Sequence, residues 1–305
     1  MPSARKRPRS SAPRRARRPL STVEAVGGAE AVQGPVYTVA ALPFDVRPGK
    51  VEHNLGRAIE GLEQAAAAGA SLLALPEMWT TSFLPRYADG ARADSDSALE
   101  TMHSRAQELE ITVIGSAPGG NGVKPVNELH VLGVPGLLRP YRKRVLFSPI
   151  GEGRQCKAGD GFPATLETPL GRVAGIICYD LRFPELTRKP FYDGADLLVV
   201  PAQWPVARQG VFELLAAARA AENQCWVLSC NRSGFAHLGD RRRVEFPGNA
   251  TLVDPLGVVA AQVDDGELLV AEVDYGEMAA IRKRVPCARD LKKAGLEPRQ
   301  PEFAA

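Results

Sequence analysis

Short apolar runs alternate with amphipathic stretches from Val36 to about residue 290, with no long linker and no break in composition. A run of four to seven apolar residues closed by glycine or proline suits a strand buried on both faces. Apolar residues spaced three and four apart suit a helix with one buried face. Chains that alternate the two build a sheet covered by helices, so the pattern predicts a single α/β domain. The expected strands span residues 36–42, 71–75, 111–115, 128–134, 137–143, 173–177, 197–201, 225–231, 250–253, 258–262 and 267–273. The expected helices span residues 51–69, with Leu55, Ile59 and Leu62 inward, then 98–109, 184–192, 209–223 and 277–284. Gly119-Gly-Asn-Gly-Val-Lys124 lacks the lysine–serine/threonine ending of a phosphate loop and reads as a hairpin or surface turn.

Charge is distributed unevenly. The formal net charge is +3, yet residues 1–20 carry eight arginines and lysines and no acid. Setting those eight aside leaves 30 basic against 35 acidic side chains, a net of −5. The body is therefore mildly acidic, with no basic face of the kind nucleic acid requires. The first stretch has no apolar core resembling a secretory signal. Residues 1–35 are expected to be a disordered basic Pro/Arg-rich extension, residues 36–290 the folded domain and residues 291–305 a C-terminal tail. No apolar run approaches the ~20 residues that span a bilayer. The five cysteines have no framework spacing and no Cys-x-x-Cys pair. That composition suits a reducing, cytoplasmic setting and argues against a disulfide scaffold or a structural metal. No cofactor is expected.

One of those cysteines has an informative context. Arg172-Val-Ala-Gly-Ile-Ile-Cys-Tyr-Asp-Leu-Arg-Phe-Pro-Glu185 runs an apolar strand into Cys178 and then into a helix-starting pattern. A thiol on such a turn is presented at a sheet edge with backbone N–H groups facing it, a layout expected to lower its pKa. Glu77 closes another strand, in Leu72-Leu-Ala-Leu-Pro-Glu77. It reads either as a helix-capping loop acid or as a desolvated general base. Lys143 ends a third strand, either as one solvated base of the cluster 142–144 or as an oxyanion donor. Glu152, nine residues on, reads alone as a loop acid.

Together the thiol, the acid and the ammonium compose an acyl-transfer site. Glu77 would take the thiol proton, and Cys178 would attack a carbonyl carbon. Lys143 and the backbone N–H of Tyr179 would hold the oxyanion, with Glu152 keeping Lys143 charged and aimed. No histidine has a comparable strand-end context, since His53 falls on an expected helix and His237 in an expected loop. Trp204 reads as pocket wall or core, and Arg208 as a carboxylate binder or a solvated loop residue. Arg182 is expected to pair with Glu185, Asp180 to cap a turn or helix, and Cys225 and Cys230 to fill core space.

The segments around Glu77, Lys143 and Cys178, in that order and with Glu152 after the lysine, resemble the nitrilase superfamily of carbon–nitrogen hydrolases. Leu75-Pro-Glu-Met-Trp-Thr-Thr-Ser-Phe83, Gln203-Trp-Pro205 and Ala218-Arg-Ala-Ala-Glu-Asn-Gln224 further resemble its bacterial omega-amidase group. The resemblance implies a four-layer α-β-β-α sandwich and a homodimer or higher homo-oligomer paired through helices beside the nucleophile. It also implies hydrolysis of a short, carboxylate-bearing amide by water. An N-carbamoyl amine or a nitrile is the alternative substrate, and a catalytically silent scaffold the alternative class. The chain keeps the aromatic ring at Phe246 but has Ala250 near where the group has serine. It has Phe212 where a tryptophan is common, and a basic insert Asp240-Arg-Arg-Arg243.

Overall fold

The computed structural model describes residues 32–87, 89–238 and 242–296. Its elements in chain order are β1 (Val36–Ala41), α1 (Val51–Ala67), β2 (Leu72–Ala74), α2 (Asp89–Glu108), β3 (Thr112–Gly119), β4 (Val126–Leu132) and β5 (Leu138–Arg142). There follow α3 (Glu152–Gln155), β6 (Thr165–Thr168), β7 (Gly171–Gly175), α4 (Pro184–Tyr192), β8 (Leu197–Ala202), α5 (Gln209–Asn223) and β9 (Trp226–Asn231). The chain ends with β10 (Ser233–Leu238), β11 (Arg242–Pro247), β12 (Ala250–Val253), β13 (Val259–Val263), β14 (Leu269–Asp274), α6 (Tyr275–Arg284) and α7 (Cys287–Lys293).

The strands form two six-stranded sheets, ordered β14-β1-β2-β3-β4-β5 and β13-β12-β9-β8-β7-β6, and a separate hairpin of β10 and β11. In the first sheet β1, β2 and β3 are mutually parallel and the outer pairings are antiparallel. The second repeats the plan with β7, β8 and β9 parallel at its centre.

Strand alternation explains why these segments read as unbroken apolar runs. Val39, Ala41, Leu72 and Ala74 face the second sheet, in one core with Val173, Leu197, Val199 and Leu228. Their neighbours Ala40, Leu42, Leu73 and Leu75 face the other way, into a layer with Ala58 and Leu62 of α1 and Leu99 and Met102 of α2. Successive side chains of a strand point to opposite faces, so a strand between two apolar layers needs apolar residues throughout. Phe212, Ala216 and Ala220 of α5 close the other side of the second sheet. The layers are thus helix, sheet, sheet, helix, as the resemblance implied. The sheets approach closely: a Cβ on Gly175 would stand 2.4 Å from Leu129 Cδ2. Glycine there lets β7, the strand leading to Cys178, lie tight against β4.

Several boundaries differ from the sequence reading. The α2 helix begins at Asp89, nine residues before its apolar spacing becomes visible at Ala98. The buried face of α1 is built from Val51, Asn54, Ala58, Gly61, Leu62 and Ala65, while Leu55 and Ile59 lie at its margin. The β10–β11 hairpin was unforeseen because Gly234 and the basic residues near Arg242 interrupt its alternation, and it places His237 on a strand rather than in a loop. Ordered chain continues past residue 290, since α7 runs to Lys293. The extension before residue 32 and the tail after residue 296 lie outside the described residues. No helix among the described residues is long and apolar enough to cross a membrane.

Candidate active site

Glu77, Lys143 and Cys178 all follow strands at one end of the sandwich. Glu77 lies three residues beyond β2, Lys143 directly after β5 and Cys178 three residues beyond β7. The first sheet therefore supplies the acid and the amine, and the second supplies the thiol. Cys178 adopts φ 48°, a left-handed conformation that is strained for a residue with a side chain. Met78, next to Glu77, has φ 51°. Both turns are held by surrounding structure, as expected where side-chain direction matters more than backbone comfort.

The structure brings the three together. Lys143 Nζ donates to Glu77 Oε1 at 2.8 Å and to both carboxylate oxygens of Glu152 at 2.8 Å each. Cys178 is close enough to the Glu77 carboxylate and the Lys143 ammonium for both to act on its thiol electrostatically. Glu77, Lys143 and Glu152 are each at most 1% exposed, and Cys178 is 6% exposed. Glu152 opens α3 and accepts a further bond from the Phe147 N–H at 2.6 Å. Its partners exclude the bland reading of a loop acid.

Two residues that the sequence reading did not single out for the site complete the cradle of Glu77. Asn127 Nδ2 donates to Oε1 at 2.9 Å, and the Gln203 N–H donates to Oε2 at 2.9 Å. The Gln203 side chain returns to the Glu77 carbonyl at 2.8 Å. The same Gln203 N–H also faces the Cys178 sulfur. Buried Arg232 donates to Gln203 Oε1 at 3.3 Å, to Ser82 Oγ at 3.0 Å and to Asp45 at 2.7 Å. The signal for Asn127 and Gln203 was a polar side chain at the end of a fully buried strand, where an unpaired amide would be costly.

Electrostatics follow from three charges in a dry site. Burial raises the Glu77 carboxyl, against the Lys143 ammonium, and neighbouring Glu152 raises it further. Burial works against charge on Lys143, yet Glu152 and Glu77 prevail and hold it well above the ordinary lysine value. Burial, then the charge on Glu77, push the Cys178 thiol well above its usual range. That corrects the expectation of a lowered thiol: the turn geometry is present, but desolvation outweighs it. A thiol so raised is held in its neutral form beside the Glu77 carboxylate.

A cleft of about 760 Å³ opens beside this cluster, lined by Phe147, Ile150, Arg154, Val206, Arg208 and Arg243, among others. Glu77, Lys143, Glu152 and Cys178 do not line it. The Phe147 ring, which does, lies 4.8 Å from the ring of Tyr179, the residue after Cys178. Arg208 is exposed on the cleft wall with its guanidinium 5.4 Å from the Phe147 ring centre. Trp204 is placed otherwise: it is 3% exposed, packs 5.1 Å from Phe212 and donates Nε1 to the Arg208 carbonyl at 2.9 Å. It supports the loop that carries Arg208 rather than lining the cleft. Arg182 does not pair with Glu185; its guanidinium lies over the rings of Trp204 and Tyr179 at 5.2 and 5.9 Å. Cys225 and Cys230 are buried in the core, as expected of small apolar residues. Among the described residues no cluster of three or more His, Cys, Asp or Glu side chains is placed to hold a metal.

Residues 31–283 match the family model described as "Carbon-nitrogen hydrolase". The chain is 33% identical to the 2-oxoglutaramate amidase of Bacillus subtilis (strain 168) over 84% of its own length and 98% of that protein's. It is 32% identical to omega-amidase NIT2 of Xenopus tropicalis, over 84% of this chain and 95% of that one. Among solved structures, a mutant amidase from Nesterenkonia sp. AN1 aligns with TM-score 0.69 and 25% identity, over 83% of this chain and 96% of the other. That amidase carries the acetamide moiety of fluoroacetamide covalently added at its active-site cysteine.

Proposed function

As the chain belongs to the carbon–nitrogen hydrolase family, we propose that it is an omega-amidase-like hydrolase cleaving a short, carboxylate-bearing amide to acid and ammonia. The observation that carries this reading is the convergence of Lys143, Glu77 and Cys178 in one buried cluster. Glu77 takes the thiol proton as Cys178 Sγ attacks the amide carbon. The developing oxyanion is held by the Lys143 ammonium and the Tyr179 N–H. The tetrahedral species then expels the amine, which leaves as ammonia with a proton returned from Glu77. Water, activated by the same carboxylate, cleaves the thioester and frees the thiol. Glu152 holds Lys143 through both carboxylate oxygens, so Lys143 does not depend on Glu77 alone while Glu77 exchanges its proton.

The carboxylate preference rests on the cleft. Arg154, Arg208 and Arg243 line one opening, with Glu245 as the acid among its lining residues. Arg208 already lies against Phe147, the ring beside the nucleophile turn. Arg208→Gln should lower kcat/KM for monoamides of short dicarboxylic acids by about 10- to 100-fold, the scale of a hydrogen bond to charge. An uncharged amide of the same length should lose less than threefold. Equal losses for both would remove Arg208 from substrate binding.

The decisive test of the reaction is product analysis: ammonia alone from a monoamide, against ammonia with carbon dioxide from an N-carbamoyl amine. Turnover of the carbamoyl compound alone would replace the amide reading. The pH profile gives a second check. Glu77 must be ionised to accept the thiol proton, and its carboxyl is raised from 4.5. Activity is therefore expected above that raised value and lost as pH falls through it, so the acid limb of kcat/KM should lie above 4.5. A limb at the ordinary carboxylate value would exclude Glu77 as the base. Homodimers or larger homo-oligomers fit the same reading, with exposed Leu214 and Val211 of α5 as the pairing face. So does a cytoplasmic setting, given five free thiols.

A further inference from the structure

Asp180 is a buried carboxyl that the reaction steps above do not use. It lies two residues after Cys178 and is 0% exposed. Its Oδ2 accepts the Tyr141 hydroxyl at 2.9 Å, and its Oδ1 accepts the Val145 N–H at 2.9 Å. Tyr141 and Val145 each stand two residues from Lys143, on opposite sides. The Tyr141 hydroxyl in turn accepts the Arg144 N–H at 3.2 Å. One carboxylate on the nucleophile turn thus grips both flanks of the residue whose ammonium meets Glu77.

On its other side Lys143 is tied to the first sheet. Its N–H donates to the Asn127 carbonyl, and its carbonyl accepts the Gly159 N–H, both at 2.8 Å. Those bonds fix Lys143 relative to Glu77, which Asn127 also holds. They do nothing to fix it relative to Cys178, which belongs to the other sheet. The bonds of Asp180 span that gap at Lys143, as those of Gln203, which follows β8, span it at Glu77.

We infer that Asp180 is a positioning residue, the clamp that sets Lys143 against Cys178 across the two sheets. Burial pushes its carboxyl up to about 7, with Lys143 pulling the other way. A carboxylate kept where burial disfavours its charge is a common mark of a functional constraint. The inference rests on Cys178 and Lys143 acting together as proposed above.

The test uses the full chain as Asp180→Asn, Tyr141→Phe and the double variant. One readout is kcat and KM for ammonia release from a dicarboxylic monoamide. The other is the rate of Cys178 alkylation by iodoacetamide, followed by intact mass. A displacement of about 1 Å can cost about 10²-fold in rate. Asp180→Asn should therefore lower kcat between about 10- and 100-fold, with KM within about threefold and alkylation slowed in step. Tyr141→Phe should give a smaller loss of the same kind, and the double variant should be no slower than Asp180→Asn, because both act through one clamp. Should Asp180→Asn fail to fold, Tyr141→Phe leaves the Val145 bond in place and carries the test. A kcat within twofold of the native chain, a rise in KM alone, or fully additive losses would overturn the inference. If the native chain released no ammonia, the reaction reading would fail separately, and the alkylation rates would still judge the clamp.

Discussion

Replacing Cys178 with alanine should end ammonia release while leaving the folded protein intact. In the reaction proposed above, the sulfur is the atom that forms and breaks a bond with substrate. No neighbouring group can substitute, because Glu77 and Lys143 hold a proton and a charge rather than a nucleophile free to attack. The expected loss is at least about 10⁴-fold, the scale on which removal of a nucleophile registers. Stability should change little. The side chain is small, and alanine meets much the same strain at φ 48° as cysteine does. Melting temperature and ammonia release together make the check. Undiminished release by a folded variant would end the thiol mechanism, and a large drop in melting temperature would make Cys178 structural first.

Lys143→Met should do the opposite to stability. Methionine fills similar space but leaves Glu77 and Glu152 buried with no cation between them. Removing one member of a buried ionic group costs about 3–5 kcal/mol, because the survivors keep their desolvation penalty. For a chain this long that corresponds to a fall in melting temperature of roughly 5–8 °C. The sign with pH is fixed by the geometry. Glu152 already raises the Glu77 carboxyl, and loss of Lys143 removes the group that lowers it. With the folded Glu77 value raised further above that of the unfolded chain, the deficit is full at high pH and shrinks as pH falls through it. Thermal melts across pH 5 to 8 should show the gap between variant and native chain narrowing at the acid end. A constant gap would mean that the two carboxylates are not coupled through Lys143. Turnover should be lost at every pH, since the oxyanion loses its cation.

Glu77, Lys143 and Cys178, the trio proposed to be catalytic, could be picked out because each follows a strand, and strand ends are visible as breaks in apolar runs. Glu152 was legible only through the need of Lys143 for a carboxylate partner and through a family pattern; in isolation its place at the start of a four-residue helix carries no signal. Asn127, Gln203 and Asp180 were missed as parts of the site because their importance lies in partners 50, 126 and 39 positions away. Such pairings depend on how two sheets dock, which no local spacing encodes. The β10–β11 hairpin escaped for a related reason. Phe246 and Ala236 find apolar company in Met78, Phe83, Tyr87 and Cys156, from two segments distant in sequence. Trp204 shows the converse. Its loop was recognised, but large aromatic residues are mostly buried, and this ring props the loop from within.

Because the acid and amine belong to one sheet and the thiol to the other, the proposed catalyst exists only at the seam between the two halves of the sandwich. Neither half carries a partial version of the activity that the other merely improves. Slippage of one slab over the other by the width of an atom would silence the protein with every strand still formed. The tightness of the Gly175–Leu129 contact is therefore as much a property of the chemistry as of the core.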